Sequence, residues 1–222
     1  MAKWIYLSYP INSQTPAYGG SEGFILAHDK VMEKGDSCNT SQWSLSNHLG
    51  TYIDFPKHFV RGGKCLTDYP ADFWAFTAPA ILGIASVEPS SIIQPQELDI
   101  DSISRDVDLL LVKTGFCDYR SQEIYWRQNP GFAPGVATVL RDKLPRLRVF
   151  AFDSISLSSF AHREIGRQAH RAFLNNLRPI LLLEDVDLTG IDVDTILQEV
   201  VIAPFRVEGA GGAPCTVIGK MS

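Results

Sequence analysis

The sequence predicts a single α/β domain, on three observations. Short apolar runs bounded by turn residues read as strands, and two stretches with a 3.6-residue apolar repeat read as helices. No Pro-, Gly- or Ser-rich tract is long enough to separate two folding units. A chain of 222 residues can bury a sizeable core, and 45% hydrophobic with 20% charged residues is the balance of a folded chain rather than a disordered one.

Taken in order, strands are expected over residues 4–9, 80–85, 109–114, 149–153, 180–184, 200–207 and 214–219. A helix is expected over residues 134–144, where Val136, Val139, Leu140 and Leu144 recur near the helical period. A second, over residues 161–174, opens after two serines and is rich in helix formers. Strands and helices therefore interleave in the second half, while the first half reads as mostly strand and loop. Loops are marked by Thr15-Pro16-Ala17-Tyr18-Gly19-Gly20, by Arg61-Gly62-Gly63-Lys64 and by Gly209-Ala210-Gly211-Gly212-Ala213-Pro214.

Several function classes are disfavoured by the bulk properties. A formal charge of -5 with scattered Lys and Arg offers no basic field, so no nucleic-acid partner is expected. No stretch approaches the roughly 18 apolar residues of a membrane span, so no membrane partner is expected either. The N-terminal residues reach Pro10 before any apolar run of signal-peptide length. Cys38, Cys65, Cys117 and Cys215 form no CxxC pair, which reads as reduced thiols. A cytoplasmic location is the expectation.

The chemistry gathers around histidine. Of five histidines, His48 and His58 lie in one short segment, His162 and His170 in another. The first segment runs His48-Leu49-Gly50-Thr51-Tyr52-Ile53-Asp54-Phe55-Pro56-Lys57-His58. Imidazole and carboxylate suit zinc, manganese or iron, and the even spacing of His48, Asp54 and His58 would put all three on one face of an extended strand. Pro56 would interrupt a central strand, which points to a bend at a sheet edge or bulge. A purely structural role for the same residues is equally available. Farther on, His170 ends the second expected helix, and Glu184 closes the apolar run after it. That carboxylate either exits to solvent or serves a site at the strand's end. His162, beside Arg163 and Glu164, is expected to face solvent. Gly19-Gly20-Ser21-Glu22-Gly23 satisfies GxSxG but lacks the preceding strand of a nucleophile elbow. Lys113, Ser154 and Ser156 either line a pocket or merely end and cap elements.

The string HxGTYxDxPxH resembles the HxGTHxDxPxH signature of the cyclase family, which includes bacterial kynurenine formamidases and isatin hydrolases. Further likeness lies in Leu7-Ser8-Tyr9-Pro10, Thr15-Pro16-Ala17-Tyr18, Leu111-Val112-Lys113-Thr114-Gly115, Asp153-Ser154-Ile155-Ser156, the stretch from His170 to Glu184, and Gly212-Ala213-Pro214. The resemblance implies a swivelling β/β/α domain with a mixed central sheet over residues 1–222, in a homodimer or homotetramer. It implies two metal ions: His48 and Asp54 on one, Asp54, His170 and Glu184 on the other, with His58 as general acid/base. Family substrates imply a small aromatic or cyclic amide, with Tyr18 placed to stack on its ring.

Tyr52 departs from the pattern. It replaces a ligand histidine by a phenol whose unperturbed pKa of about 10 makes it a reluctant ligand. One divalent ion, zinc or manganese, is therefore expected on Asp54, His170 and Glu184 with His48 nearby, and Tyr52 joins Tyr18 as a substrate-binding residue. The interval from His170 to Glu184 is also about two residues longer than the family's pattern, within residues 175–179. Metal-dependent hydrolysis of a C–N amide bond is the activity implied. The alternatives are a cyclase or dehydratase acting on a small carbonyl compound, and a non-catalytic small-molecule binder.

Overall fold

In the computed structural model, which describes residues 2–21 and 23–222, the uninterrupted apolar runs of the second half form the middle of one large sheet. Met1 and Glu22, the latter within the GxSxG string, lie outside the described residues. Along the chain the elements are β1 (Lys3–Tyr6), β2 (Phe24–Lys30), β3 (Thr40–Leu45), β4 (Tyr52–Asp54), β5 (Ala75–Phe76), β6 (Pro79–Gly83), β7 (Ile92–Ile93) and β8 (Leu109–Lys113). There follow α1 (Ile124–Arg127), β9 (Gly131–Phe132), α2 (Gly135–Lys143), β10 (Val149–Phe152), α3 (Arg163–Leu174), β11 (Leu181–Glu184), β12 (Leu197–Pro204) and β13 (Gly212–Met221). Every strand expected in the sequence is present within a few residues. The second helix begins two residues late, after a 3-10 turn at Phe160–His162.

The main sheet runs in the order β5-β12-β13-β4-β11-β10-β8-β6, with β1 also paired to β13. It has two halves of different construction. Strands β6, β8, β10 and β11 are parallel, whereas β4, β13, β12, β5 and β1 pair antiparallel. Of the parallel strands, β8, β10 and β11 are buried on both faces, which is why their sequences are continuous apolar runs rather than alternations. The halves meet where β4 lies against β11, and β6 curls round to touch β12. The expected mixed-sheet α/β fold is thus realised.

The expectation for residues 48–58 needs correction. Only Tyr52–Asp54 is strand; His48 lies in the bend before it and His58 ends a 3-10 turn, Pro56–His58. The three side chains therefore do not share one strand face. Nor is β4 at an edge, since it is hydrogen-bonded on both sides, to β11 and β13. Pro56 interrupts nothing because the ladder ends at Asp54.

Helix α3 positions the second half of the site. Gly166, Ala169, His170, Phe173 and Leu174 are its buried residues, the spacing of one apolar stripe. Phe173 stacks on Phe150 of β10 with ring centroids 5.2 Å apart. Gly166 is required by close approach: a Cβ there would stand 1.9 Å from Ser158 Oγ. The hairpin β2–β3, unforeseen in the sequence, is a separate two-stranded sheet with Leu26 opposite Trp43, both exposed. Among the described residues no helix is long and apolar enough to cross a membrane.

Candidate metal centre and active site

Strand alternation sends Tyr52 and Asp54 to one face of β4 and Ile53 to the other, into the core. The antiparallel register places Tyr52 opposite Glu184 and Asp54 opposite Leu182, so Asp54 and Glu184 emerge as diagonal neighbours on the same face. From above, α3 lowers His170 onto them. His170 Nε2 lies 3.5 Å from Asp54 Oδ2 and 3.5 Å from Glu184 Oε1. All three residues are buried.

Each of these groups is held from behind. His170 Nδ1 lies 2.8 Å from the Gly166 carbonyl, one turn earlier in α3, so Nδ1 carries the proton and Nε2 faces the carboxylates. Phe59 stacks on the same ring at 4.5 Å. Glu184 Oε1 accepts the Leu157 backbone N–H at 2.9 Å, and Glu184 Oε2 accepts a short hydrogen bond from the Tyr52 hydroxyl. Outer contacts of this kind fix ligand orientation in metal sites.

A second group shares Asp54. His48 Nδ1 is 2.9 Å from Asp54 Oδ1, yet the approach lacks hydrogen-bond direction, and Oδ1 has no hydrogen-bond partner among the described residues. The His48 and His58 rings lie 4.2 Å apart and tilted by 34°, with His58 on the exposed side. Gly212 makes room for this cluster: a Cβ there would meet His48 Cε1 at 2.4 Å and Asp54 Oδ1 at 3.1 Å.

These contacts fit a cation. Oxygen and nitrogen ligands bound at about 2.0–2.1 Å in a tetrahedral array stand roughly 3.4 Å apart, close to the spacing around His170 Nε2. The electrostatics agree. Burial alone would lower the His170 pKa, but hydrogen bonding and charge from Asp54 and Glu184 push it up to about 10. Burial would likewise raise Asp54, but His170 and His48 hold it below the usual carboxylate range. The pocket thus carries excess negative potential. His58 differs: partial desolvation, opposed by Asp54 and reinforced by His48 and His170, lowers its pKa and favours the neutral imidazole. Burial, then the charges of Glu184 and Asp54, push the Tyr52 phenol well above its ordinary value, so it stays protonated and acts as a donor.

The remaining sequence candidates fall on either side of this centre. The half-buried Tyr18 packs edge-on against Phe160 at 5.6 Å, with a buried hydroxyl that has no hydrogen-bond partner among the described residues. His162 is exposed, as expected. Lys113 donates to the Ile191 carbonyl at 2.5 Å, and Ser154 and Ser156 bond within their own loop rather than capping α3. Asn175–Ile180 turn from α3 into β11, so the longer interval leaves Glu184 facing His170. Sequence reasoning missed Gly166 and Leu157, and gave Gly212 only as part of a loop and of the family likeness. The first stands four residues before His170, a spacing that could have drawn attention to it. A cavity of about 520 Å³ is lined by Phe24, Trp43, Leu45, Phe205 and Pro214 among others and by none of the candidate ligands.

Comparison with known proteins gives the family and the fold. The family described as "Putative cyclase" matches residues 5–159, more than half of the chain. Kynurenine formamidase of Bacillus cytotoxicus is 25% identical over 219 residues, covering 98% of this chain and 97% of that protein. Cyclase-like protein 1 of Arabidopsis thaliana is 28% identical over 220 residues, covering 96% and 82%. In fold, isatin hydrolase A from Labrenzia aggregata bound to benzyl benzoate superposes with a TM-score of 0.80 at 17% identity, covering 99% of this chain and 93% of that one. With the signature-bearing strand β4 inside the matched region, the chain belongs to the cyclase family.

Proposed function

We propose that this chain is a metal-dependent hydrolase that cleaves the C–N amide bond of a small aromatic or cyclic amide, as an arylformamidase does. The observation that carries the reading is the convergence of Asp54 Oδ2, His170 Nε2 and Glu184 Oε1 from three elements, beside an open face where His58 stands. The names of its relatives, kynurenine formamidase and isatin hydrolase, support the substrate class.

Asp54, His170 and Glu184 would hold one divalent ion, zinc or manganese, with His48 nearby. Such an ion supplies Lewis acidity and makes water acidic enough to attack near neutral pH. His58, neutral and open to solvent, takes a proton as water adds to the amide carbonyl carbon. When the C–N bond breaks, His58 returns that proton to the departing nitrogen, so the products are a carboxylic acid and an amine. The rings of Tyr18 and Tyr52 form the aromatic side of the substrate pocket. A single ion is favoured over two because Tyr52 sets a protonated phenol, its pKa pushed up by burial and by Glu184 and Asp54, where the family's pattern has a ligand histidine. One catalytic domain spanning residues 1–222, assembled as a homodimer or homotetramer in the cytoplasm, completes the proposal.

Metal analysis of the purified chain and turnover of N-formyl aryl amines and isatin-like cyclic amides test it, with product mass as the discriminator. Hydrolysis adds one water to the substrate, whereas cyclisation or dehydration does not. A chain that retains no zinc or manganese, and whose turnover neither metal stimulates, would overturn the proposal.

A further inference from the structure

We propose that Arg120 and Asp185 form a clamp that positions Glu184, together with the Tyr52 hydroxyl that donates to it, for metal binding; this rests on the reading of Glu184 as a ligand. Asp185 follows Glu184 directly, is fully buried, and has φ of +54°, a left-handed backbone that a side chain with a Cβ rarely adopts. Its carboxylate takes a two-pronged contact from Arg120, Nε to Oδ1 at 2.8 Å and Nη2 to Oδ2 at 2.7 Å, and a short hydrogen bond from Tyr125. Its backbone is also held at both ends: the N–H donates to the Ser154 carbonyl at 3.0 Å, and the C=O accepts the Thr51 hydroxyl at 2.5 Å.

The contacts close into a ring. Thr51 Oγ1 accepts the Tyr9 N–H at 3.2 Å, and the Arg120 guanidinium lies 3.7 Å over the Tyr9 ring. Thr51 precedes Tyr52 and Asp185 follows Glu184, so the ring grips the two residues next to the Tyr52–Glu184 register pair from behind. A buried ion pair is weak evidence for stability, since apolar groups of like volume often serve as well. A strained residue held by this many contacts beside a functional group is the arrangement expected of a positioning device.

The test is zinc and manganese affinity of the full chain by titration calorimetry, with the thermal midpoint of each metal-free variant measured alongside. Asp185→Asn and Arg120→Gln are expected to weaken affinity by about 10–100-fold at temperatures where both remain folded. Arg120→Lys, which keeps charge but not the fork, is expected to fall between. Should these variants fail to fold, Thr51→Val decides, with a several-fold loss expected and Thr51→Ser retaining the wild-type value. Affinities within two-fold of wild type, even with a lowered midpoint, overturn the clamp alone. A wild-type chain that takes up neither metal overturns the clamp together with the proposed function.

Discussion

The two clusters that share Asp54 are built differently. Asp54, His170 and Glu184 are almost wholly buried, and the outer two are fixed by the Gly166 carbonyl, the Leu157 N–H and the Tyr52 hydroxyl. His48 and His58 are partly or largely open to solvent and lean on one another and on Phe59 rather than on hydrogen bonds. A pre-organised ring of ligands loses little freedom on taking a cation, whereas a partly solvated imidazole is free to accept and release protons. On the proposed reading, the difference in support, more than the difference in residue type, separates a binding role from a shuttling one.

That contrast can be broken by substitution. The largest effect is expected from Glu184→Gln, which removes a buried charge from the rigid cluster: metal content after exhaustive dialysis should drop to background. The reverse arm is His58→Gln, where kcat should fall by about 10²–10⁴-fold while metal content is retained. If His58→Gln lost its metal instead, the division of roles would be wrong. Tyr52→His should raise metal stoichiometry from one to two per chain, because imidazole would replace the donor on Glu184 Oε2 with a ligand. Tyr52→Phe leaves that oxygen without its donor and should lower apo stability by about 1–3 kcal/mol in denaturant titration. The smallest effect on affinity belongs to the open cluster. His48→Ala should weaken metal binding only a few-fold, and calorimetry beside Glu184→Gln would show whether the two clusters rank as described.

Much of the fold is legible because the central parallel strands are buried on both faces and so read as continuous apolar runs: Leu109–Lys113, Val149–Phe152 and Leu181–Glu184 stand where expected. β4 was harder. Three residues cannot display a period, and Pro56 suggested an edge although the ladder stops before reaching it. The candidate ligand residues are visible as types and, through the signature, as a set. Their geometry is not, since it depends on pairings such as Tyr52 with Glu184, 132 positions apart in sequence. Gly166 and Gly212 were opaque for the same reason: what they make room for, Ser158 and His48, is set by tertiary approach. The hairpin β2–β3 lies in a stretch without a strong apolar alternation, so no strand is legible there.

The meeting of the two sheet halves at β4 and β11 bears on how the chain acquires its structure. Asp54 belongs to the antiparallel half by its pairing with β13, Glu184 to the parallel half by its strand's pairing with β10, and His170 to the helix packed over the latter. No short peptide of this chain contains the buried trio, so a cation cannot nucleate folding as it does where ligands are close in sequence. The trio is complete only after loop closures of more than a hundred residues, which belong late in folding. Metal uptake during refolding should therefore lag the recovery of secondary structure.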